Sequence, residues 1–222
     1  MRRLRESDGT PVHLRYARYH ASRCNTGEAT HMTLRAEMSP LFAALKSKER
    51  EREDAEDAAV ETLVGVELNE ERVENAIRDI DGAGSSADRA SSGLNAQRTM
   101  FPEGFGAVID PDGEAQIAAL EPLRVRAQPF MGVPAIAAAF AALATAEAGL
   151  AAAIEADDAA NATVERLFAE ELQARRMIRE QAESAYGRLR DHYKTRPALA
   201  EKFFLNVSGS RKAKKRPEKK EG

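Results

Sequence analysis

The sequence predicts an all-α protein, an elongated antiparallel helical bundle, and two observations carry this prediction. The run from Ala135 to Tyr193 contains no proline and only two glycines, and its large apolar residues recur at steps of three or four. A single helix of that length extends ~90 Å at 1.5 Å per residue. Aromatic residues make up only 5% of the chain, tryptophan is absent, and the period-two alternation of strands is missing. A core of Ala, Leu, Ile and Val therefore favours packed helices over sheets.

A second long helix is predicted upstream of the first. Ser39 and Pro40 form a helix-start signal, because serine is a favoured N-cap and proline is tolerated at the first helical position. Apolar residues then recur at helical spacing as far as Ile80, across a nearly continuous charged stretch at 46–57. The glycines and serines of residues 82–86 predict the end of this helix.

The segment between the two long helices predicts a short helical hairpin over residues 87–128. Its elements are a weakly patterned helix at 87–99 and a helix that starts at Asp112 or Gly113 and bends at Pro122. Packed beside the two long helices, this hairpin makes the bundle locally four-helix. A last short helix is predicted over residues 198–205.

Alanine dominates the first half of the long helix, where it fills 15 of the 26 positions from 135 to 160. Small residues let helices approach closely but bury little area, so we expect the second half to be better anchored. Residues 127–146 are uncharged for the length of a membrane span. Because most of that helix is alanine and acidic residues follow directly, we interpret it as a water-soluble helix.

Charge divides the chain into an acidic body with two basic ends. Residues 1–35 carry a net charge of +4 and residues 206–222 carry +5, while the whole chain carries −3, so residues 36–205 carry −12. We expect a disordered basic N-terminal segment (1–38), a helical bundle domain (39–205) and a disordered Lys-rich tail (206–222). The antiparallel path places both basic ends at one pole and the loop around Phe105 at the other. Met32 is an alternative start.

The sequence predicts a cytoplasmic protein. It has one cysteine, Cys24, so no intrachain disulfide can form, which fits a reducing compartment. The Arg-rich N-terminus is not followed by the apolar region of a signal peptide.

Motifs that carry chemistry are missing. The sequence contains no Walker-type phosphate loop, no complete EF-hand loop and no G-x-S-x-G or H-E-x-x-H pattern. The glycines of residues 82–86 do not follow a predicted strand, as a dinucleotide fingerprint requires. The nearest approach to a metal-binding set is His13, His20, Cys24 and His31, whose spacing matches no zinc pattern. His192 lies near the end of the long helix and is interpreted as a surface residue. We therefore predict no catalytic residues, no metal site and no cofactor.

Two segments are candidate contact sites. The loop at 100–113 is the only one with real apolar content, and Phe101, Phe105 and Ile109 either cap the end of the helical core or contact a protein partner. The C-terminal tail can contact anions, including nucleic acid, through unspecific charge attraction; the candidate contact residues among its seven Lys and Arg are Arg211, Lys212, Lys214, Lys215 and Arg216.

The layout resembles uncharacterised Ala-rich helical-bundle proteins of bacteria: a long charged helix, a Phe-Pro-Glu-Gly-Phe loop at 101–105 and a very long Ala-rich helix. The resemblance covers residues 40–193 and implies no activity. Function is expected to be non-enzymatic, a structural or protein-interaction bundle, with a protein partner or a second copy against the long seam. The alternatives are an anion- or nucleic-acid-associated protein that uses its basic termini, and a cofactor-binding or enzymatic bundle.

Overall fold

The computed structural model describes residues 4–206 and confirms an all-α fold. No strand occurs in the described residues. The described residues form seven α-helices, which are α1 (Thr10–Arg23), α2 (Ala29–Ala90), α3 (Ala96–Met100), α4 (Gly106–Ile109), α5 (Gly113–Ala127), α6 (Pro134–His192) and α7 (Pro197–Glu201). A 3₁₀ turn, Gln128–Phe130, follows α5. The two long helices, α2 and α6, pack against each other.

The chain divides into two compact units, and both long helices contribute to each. The terminal unit comprises Met1–Glu53 and Arg166–Gly222, and the middle unit comprises Asp54–Glu165. Within the terminal unit, Arg188 of α6 binds the Glu37 carboxylate of α2 at 2.7 Å. Within the middle unit, the Thr62 hydroxyl donates to Asp157 at 2.8 Å. In the terminal unit the early part of α2 pairs with the late part of α6, so the two helices run antiparallel there. The described residues nearest both chain ends belong to the terminal unit, and the Phe105 loop belongs to the middle unit.

The prediction of α6 is confirmed to within one residue at each end, and both halves of the helix are anchored. Buried residues occur in both halves, from Ile136 to Leu150 and from Leu167 to Leu189. None of residues 151–165 is buried. The second half is therefore not the single anchor of the helix, because the larger side chains of the first half fill the core of the middle unit.

The predicted bounds of α2 are wrong at both ends. The helix begins ten residues before Ser39, and Pro40 lies inside it. Ser39 does not cap a helix: its hydroxyl donates to the Arg35 carbonyl one turn back at 2.8 Å. Leu34 and Met38 are fully buried on this extension. Their burial, at about 1.5–3 kcal/mol for each side chain, offsets the ~3 kcal/mol that an internal proline costs.

At its other end α2 continues through residues 82–86 as far as Ala90. Gly84 serves packing rather than termination, because a Cβ there would lie 2.7 Å from Met100 Cε and 3.2 Å from Gln97 Cα. The small residue lets α3 pack directly on α2. Asp88 then fixes α3 by accepting hydrogen bonds from the backbone N–H groups of Ala96 and Gln97, at 2.6 and 3.0 Å.

The N-terminal segment is helical where the sequence pattern predicted disorder over residues 1–38. Helix α1 buries its inner face completely, and the buried residues are Thr10, His13, Tyr16, Ala17 and His20. Their spacing of three, three, one and three is that of an amphipathic helix. The residues that repeat at this spacing include histidine, tyrosine and alanine, so a search for large aliphatic residues does not detect the helix.

Each unit has its own core. The middle unit's core is built mainly from aliphatic residues of α2, α5 and α6, with Phe101, Phe130 and Phe140 at its edges. The terminal unit's core joins α1, the start of α2, the end of α6 and the two phenylalanines that follow α7, Phe203 and Phe204. Helix α6 also contains a stretch that is long and apolar enough to cross a membrane by length and composition alone.

Candidate functional site

The loop at 100–113, for which the sequence left capping of the core and contact with a partner as alternatives, contributes mainly to the core. Phe101 is only 5% exposed and belongs to the middle unit's core, together with Val108. Ile109 is half-buried against the same core, whereas Phe105 is 41% exposed. Phe101 therefore caps the core, and of the three candidate contact residues Phe105 alone is exposed.

A different apolar surface lies open on α2, within the middle unit. Val60, Leu63, Val64 and Leu68 are between 45% and 61% exposed. Their spacing places them on one side of the helix. We call these four residues the open stripe. Single exposed apolar residues are ordinary, but four on one helix side form a contiguous patch, which marks an interaction site more often than it marks a bare surface.

The open stripe coincides with a part of the α2–α6 pair in which no described residue is buried. None of residues 54–72 and none of residues 151–165 is buried. The two helices approach closely here: a Cβ at Gly149 would lie 2.8 Å from Asn69 Oδ1. Small and polar residues at the seam allow this approach but leave little apolar area buried. The stretch is therefore held by fewer apolar contacts than either core.

The same stretch carries charge of one sign. Residues 54–71 contain seven acidic residues and no Lys or Arg, and residues 135–165 contain five acidic residues and no Lys or Arg. Glu56, Asp57, Glu67 and Glu71 are exposed and share the helix side of the open stripe. A surface that combines exposed leucine and valine with a stretch rich in carboxylates and without Lys or Arg is complementary to a partner that carries apolar and basic groups together.

The terminal unit contains a buried carboxylate with a complete set of donors. Glu171 of α6 is fully buried. It accepts hydrogen bonds from the Thr10 hydroxyl and from Arg175, and from Arg52 Nε at 2.6 Å. Burial raises the pKa of Glu171, but these donors outweigh it and hold that pKa below its ordinary value. The arrangement links α1, α2 and α6, and we interpret it as structural.

Histidines gather elsewhere in the terminal unit. His20 donates from Nδ1 to the Phe203 carbonyl at 3.2 Å, stacks on Phe204, and has its Nε2 3.7 Å from Cys24 Sγ. Burial lowers the pKa of His20 to about 4. Burial also raises the pKa of the Cys24 thiol to about 11, so this cysteine is protonated and unreactive at neutral pH.

Three further side chains converge beside them: Glu28, His31 and His192 each bring one donor atom to within 4.8 Å of the others. Glu28 lies in the turn before α2, His31 is in the first turn of α2, and His192 is the last residue of α6. The separations are 3.3 Å from His31 Nδ1 to Glu28 Oε2 and 2.6 Å from His192 Nε2 to Glu28 Oε1. We call this set the Glu–His cluster.

The sequence spacing suggested a different grouping of the histidines. It set His31 with His13, His20 and Cys24 and treated His192 separately, whereas the structure joins His31 to His192. His13 lies apart, with its Nδ1 donating to the Gly9 carbonyl at 3.0 Å. The Glu-x-x-His spacing of Glu28 and His31 is one helical turn and was the available signal; the third member is supplied only by the fold.

The basic tail residues, from Arg211 to Arg216, lie outside the described residues, so their contact with anions stays a prediction. Within the described part of the chain, a shallow pocket of about 280 Å³ in the terminal unit is lined by Arg18, Arg35 and Asn25, among others. Arg35 donates a hydrogen bond to the Asn25 side chain at 2.5 Å, so these two side chains of the pocket lining are bonded to each other.

Comparisons with known proteins assign no family to this chain. No protein-family model, curated protein or solved structure matches this chain.

Proposed function

We propose that this protein is a non-enzymatic interaction bundle whose open stripe on α2 docks a basic amphipathic helix of a protein partner. The observation that carries the proposal is the coincidence of the open stripe with a stretch that contains seven acidic residues and no Lys or Arg. An amphipathic helix laid on such a surface buries its apolar side against Val60, Leu63, Val64 and Leu68, and its Lys or Arg residues meet the flanking carboxylates.

Charge favours this occupant over a second copy of the chain. Two copies that meet through the open stripe bring Glu67 and Glu71 of each near carboxylates of the other, and like charges in an interface are unfavourable. The positive residues of the described middle unit lie outside this stretch, on the segments from Arg72 onward. A basic helix neutralises the surface, and we expect its association to weaken as salt rises.

The test uses a synthetic amphipathic helix made of leucine and lysine, labelled with a dye, and fluorescence anisotropy with the full chain. A peptide of the same pattern with glutamate in place of lysine is the charge control. The Val64→Gln/Leu68→Gln variant should weaken binding about tenfold or more, because both changes remove apolar anchors. The Phe168→Gln/Leu172→Gln variant is the matched control, since these residues have the same spacing and comparable exposure on α6.

Three outcomes contradict the proposal. Equal binding of the lysine and glutamate peptides removes the role of charge. Equal loss in the two double variants removes the specificity for the open stripe. A wild-type dimer in light scattering that becomes monomeric in Val64→Gln/Leu68→Gln assigns the open stripe to a second copy.

A further inference from the structure

We propose that the Glu–His cluster of the terminal unit binds a divalent transition-metal ion, with Glu28, His31 and His192 as its three protein ligands. Two imidazoles and one carboxylate are the donor set of many three-ligand zinc sites, which keep a fourth position for water or substrate. The same donors suit iron and other ions of this class, and zinc is the probe chosen here.

The distances require only a small adjustment to accept an ion. Two ligands on one tetrahedral zinc stand about 3.3 Å apart, given metal bonds of about 2.0–2.1 Å. His31 Nδ1 and Glu28 Oε2 already have that separation of 3.3 Å. The pair formed by His192 and Glu28 is at hydrogen-bond distance, 2.6 Å, and must open by less than 1 Å. His192 can supply this movement because it is partly exposed and ends α6.

The surroundings of His31 hold its ring in place. Its other nitrogen, Nε2, is hydrogen-bonded to the Tyr193 hydroxyl at 3.0 Å, and its ring packs on Phe203 with centroids 4.5 Å apart. A partner on the second ring nitrogen is the arrangement that orients histidine ligands in metal sites. The Thr26 hydroxyl contacts Nδ1 at 2.6 Å, so an ion bound at that atom replaces this hydrogen bond.

Access and charge also fit a metal ion. His31 is buried, which removes competing water on one side, while Glu28 and His192 are partly exposed and give the ion an entry path. The carboxylate of Glu28 supplies the negative charge that offsets part of the charge of the ion.

The experiment is zinc titration of the untagged full chain by calorimetry, with Co²⁺ absorption spectra as the report on coordination. We expect one ion for each chain and a cobalt spectrum of low-coordinate type. Glu28→Gln and His192→Gln each remove a ligand at a partly exposed position, so the fold is retained, and each should weaken zinc binding by about tenfold or more. The matched control for the carboxylate is Glu180→Gln, an exposed glutamate elsewhere on α6. The control for histidine is His13→Gln.

A positioning variant separates ligation from simple packing. Tyr193→Phe keeps the ring and removes the hydroxyl from His31, and we expect it to weaken zinc binding by about tenfold while all three ligands remain. The proposal is overturned if the wild-type chain binds no zinc, or if His192→Gln binds zinc as tightly as wild type. It is also overturned if the two control variants lose as much affinity as the ligand variants.

Discussion

The cores of the two units are built from different kinds of residue. The terminal unit contains all four histidines, all four tyrosines and eight of the twelve aromatic residues of the chain. Buried among them are His13, His20, His31 and Glu171. In the described middle unit the one buried polar side chain is Gln116, and the rest of the core is apolar. The stability of the terminal unit therefore depends on the protonation and charge of its buried groups. The stability of the middle unit depends on how well apolar side chains fill its core.

The largest expected effect on stability comes from removing a large side chain from the core of the middle unit. Phe101→Ala should lower the free energy of unfolding by about 4 kcal/mol, because it leaves a cavity in the core. Phe105→Ala, four residues along the same loop and 41% exposed, should change it by about 0.5 kcal/mol or less. Urea unfolding followed by circular dichroism measures both. Similar losses in the two variants would contradict the assignment of Phe101 to the core and Phe105 to the surface.

The next effect tests charge in the terminal unit. Glu171→Gln should destabilise the protein by about 3 kcal/mol, since it removes the buried negative charge that pairs with the partly buried Arg52 and Arg175. The neighbouring Glu170→Gln is the control: this exposed glutamate pairs with Lys48 and Arg166 in solvent, and its loss should have much the smaller effect. Thermal unfolding distinguishes them. Equal shifts of Tm would show that the buried network does not stabilise the terminal unit.

The pH dependence of stability sharpens the same contrast. Unfolded His20 binds a proton with its ordinary pKa of 6.5, and folded His20 does so only at about 4. Between these values the unfolded state holds more protons, so stability falls as pH falls, by up to about 3 kcal/mol over the window. His20→Gln should reduce this slope in urea unfolding measured from pH 7 to pH 4.5. His13 and His31, whose pKa values are also lowered by burial, account for a remaining slope. An unchanged slope in the variant would contradict the prediction.

The smallest effect concerns the buried amide of the middle unit. Gln116 Oε1 has no hydrogen-bond partner in the described residues, although its amide nitrogen lies 3.4 Å from the Ile109 carbonyl. Gln116→Leu removes this unpaired acceptor and should stabilise the protein by about 1 kcal/mol. The matched variant Gln181→Leu removes an amide that donates to Glu37 at 2.8 Å, and it should not stabilise. A lower Tm for Gln116→Leu than for wild type would show that the amide is needed.

The accuracy of the sequence-based predictions follows the kind of residue that fills each core. Helix α6 was predicted almost to the residue because its stripe is aliphatic and uninterrupted. Helix α1 was missed because its buried face uses histidine and tyrosine, residues that occur as often at surfaces. The bounds of α2 failed for another reason: Ser39, Pro40 and Gly84 are local signals for helix ends, and burial of Leu34, Met38 and Ile80 overrides them.

The candidate sites divide in the same way. The sequence singled out the Phe101 loop by its apolar content, but apolar content alone does not distinguish a core cap from a contact surface. The open stripe lies within the predicted α2, but of its four residues only Leu63 belonged to the predicted apolar pattern, and the exposure of the stripe became visible only in the structure.

The sequence by itself determined the helical class, the length of α6, the alanine seam and the acidic body, because these follow from local periodicity and composition. The tertiary structure alone decided which faces are covered and which distant residues meet. Glu28 and His31 lie one turn apart, yet His192 joins them only because α6 runs back antiparallel to α2 in the terminal unit. Burial and convergence are properties of the packed chain, and no local pattern specifies them.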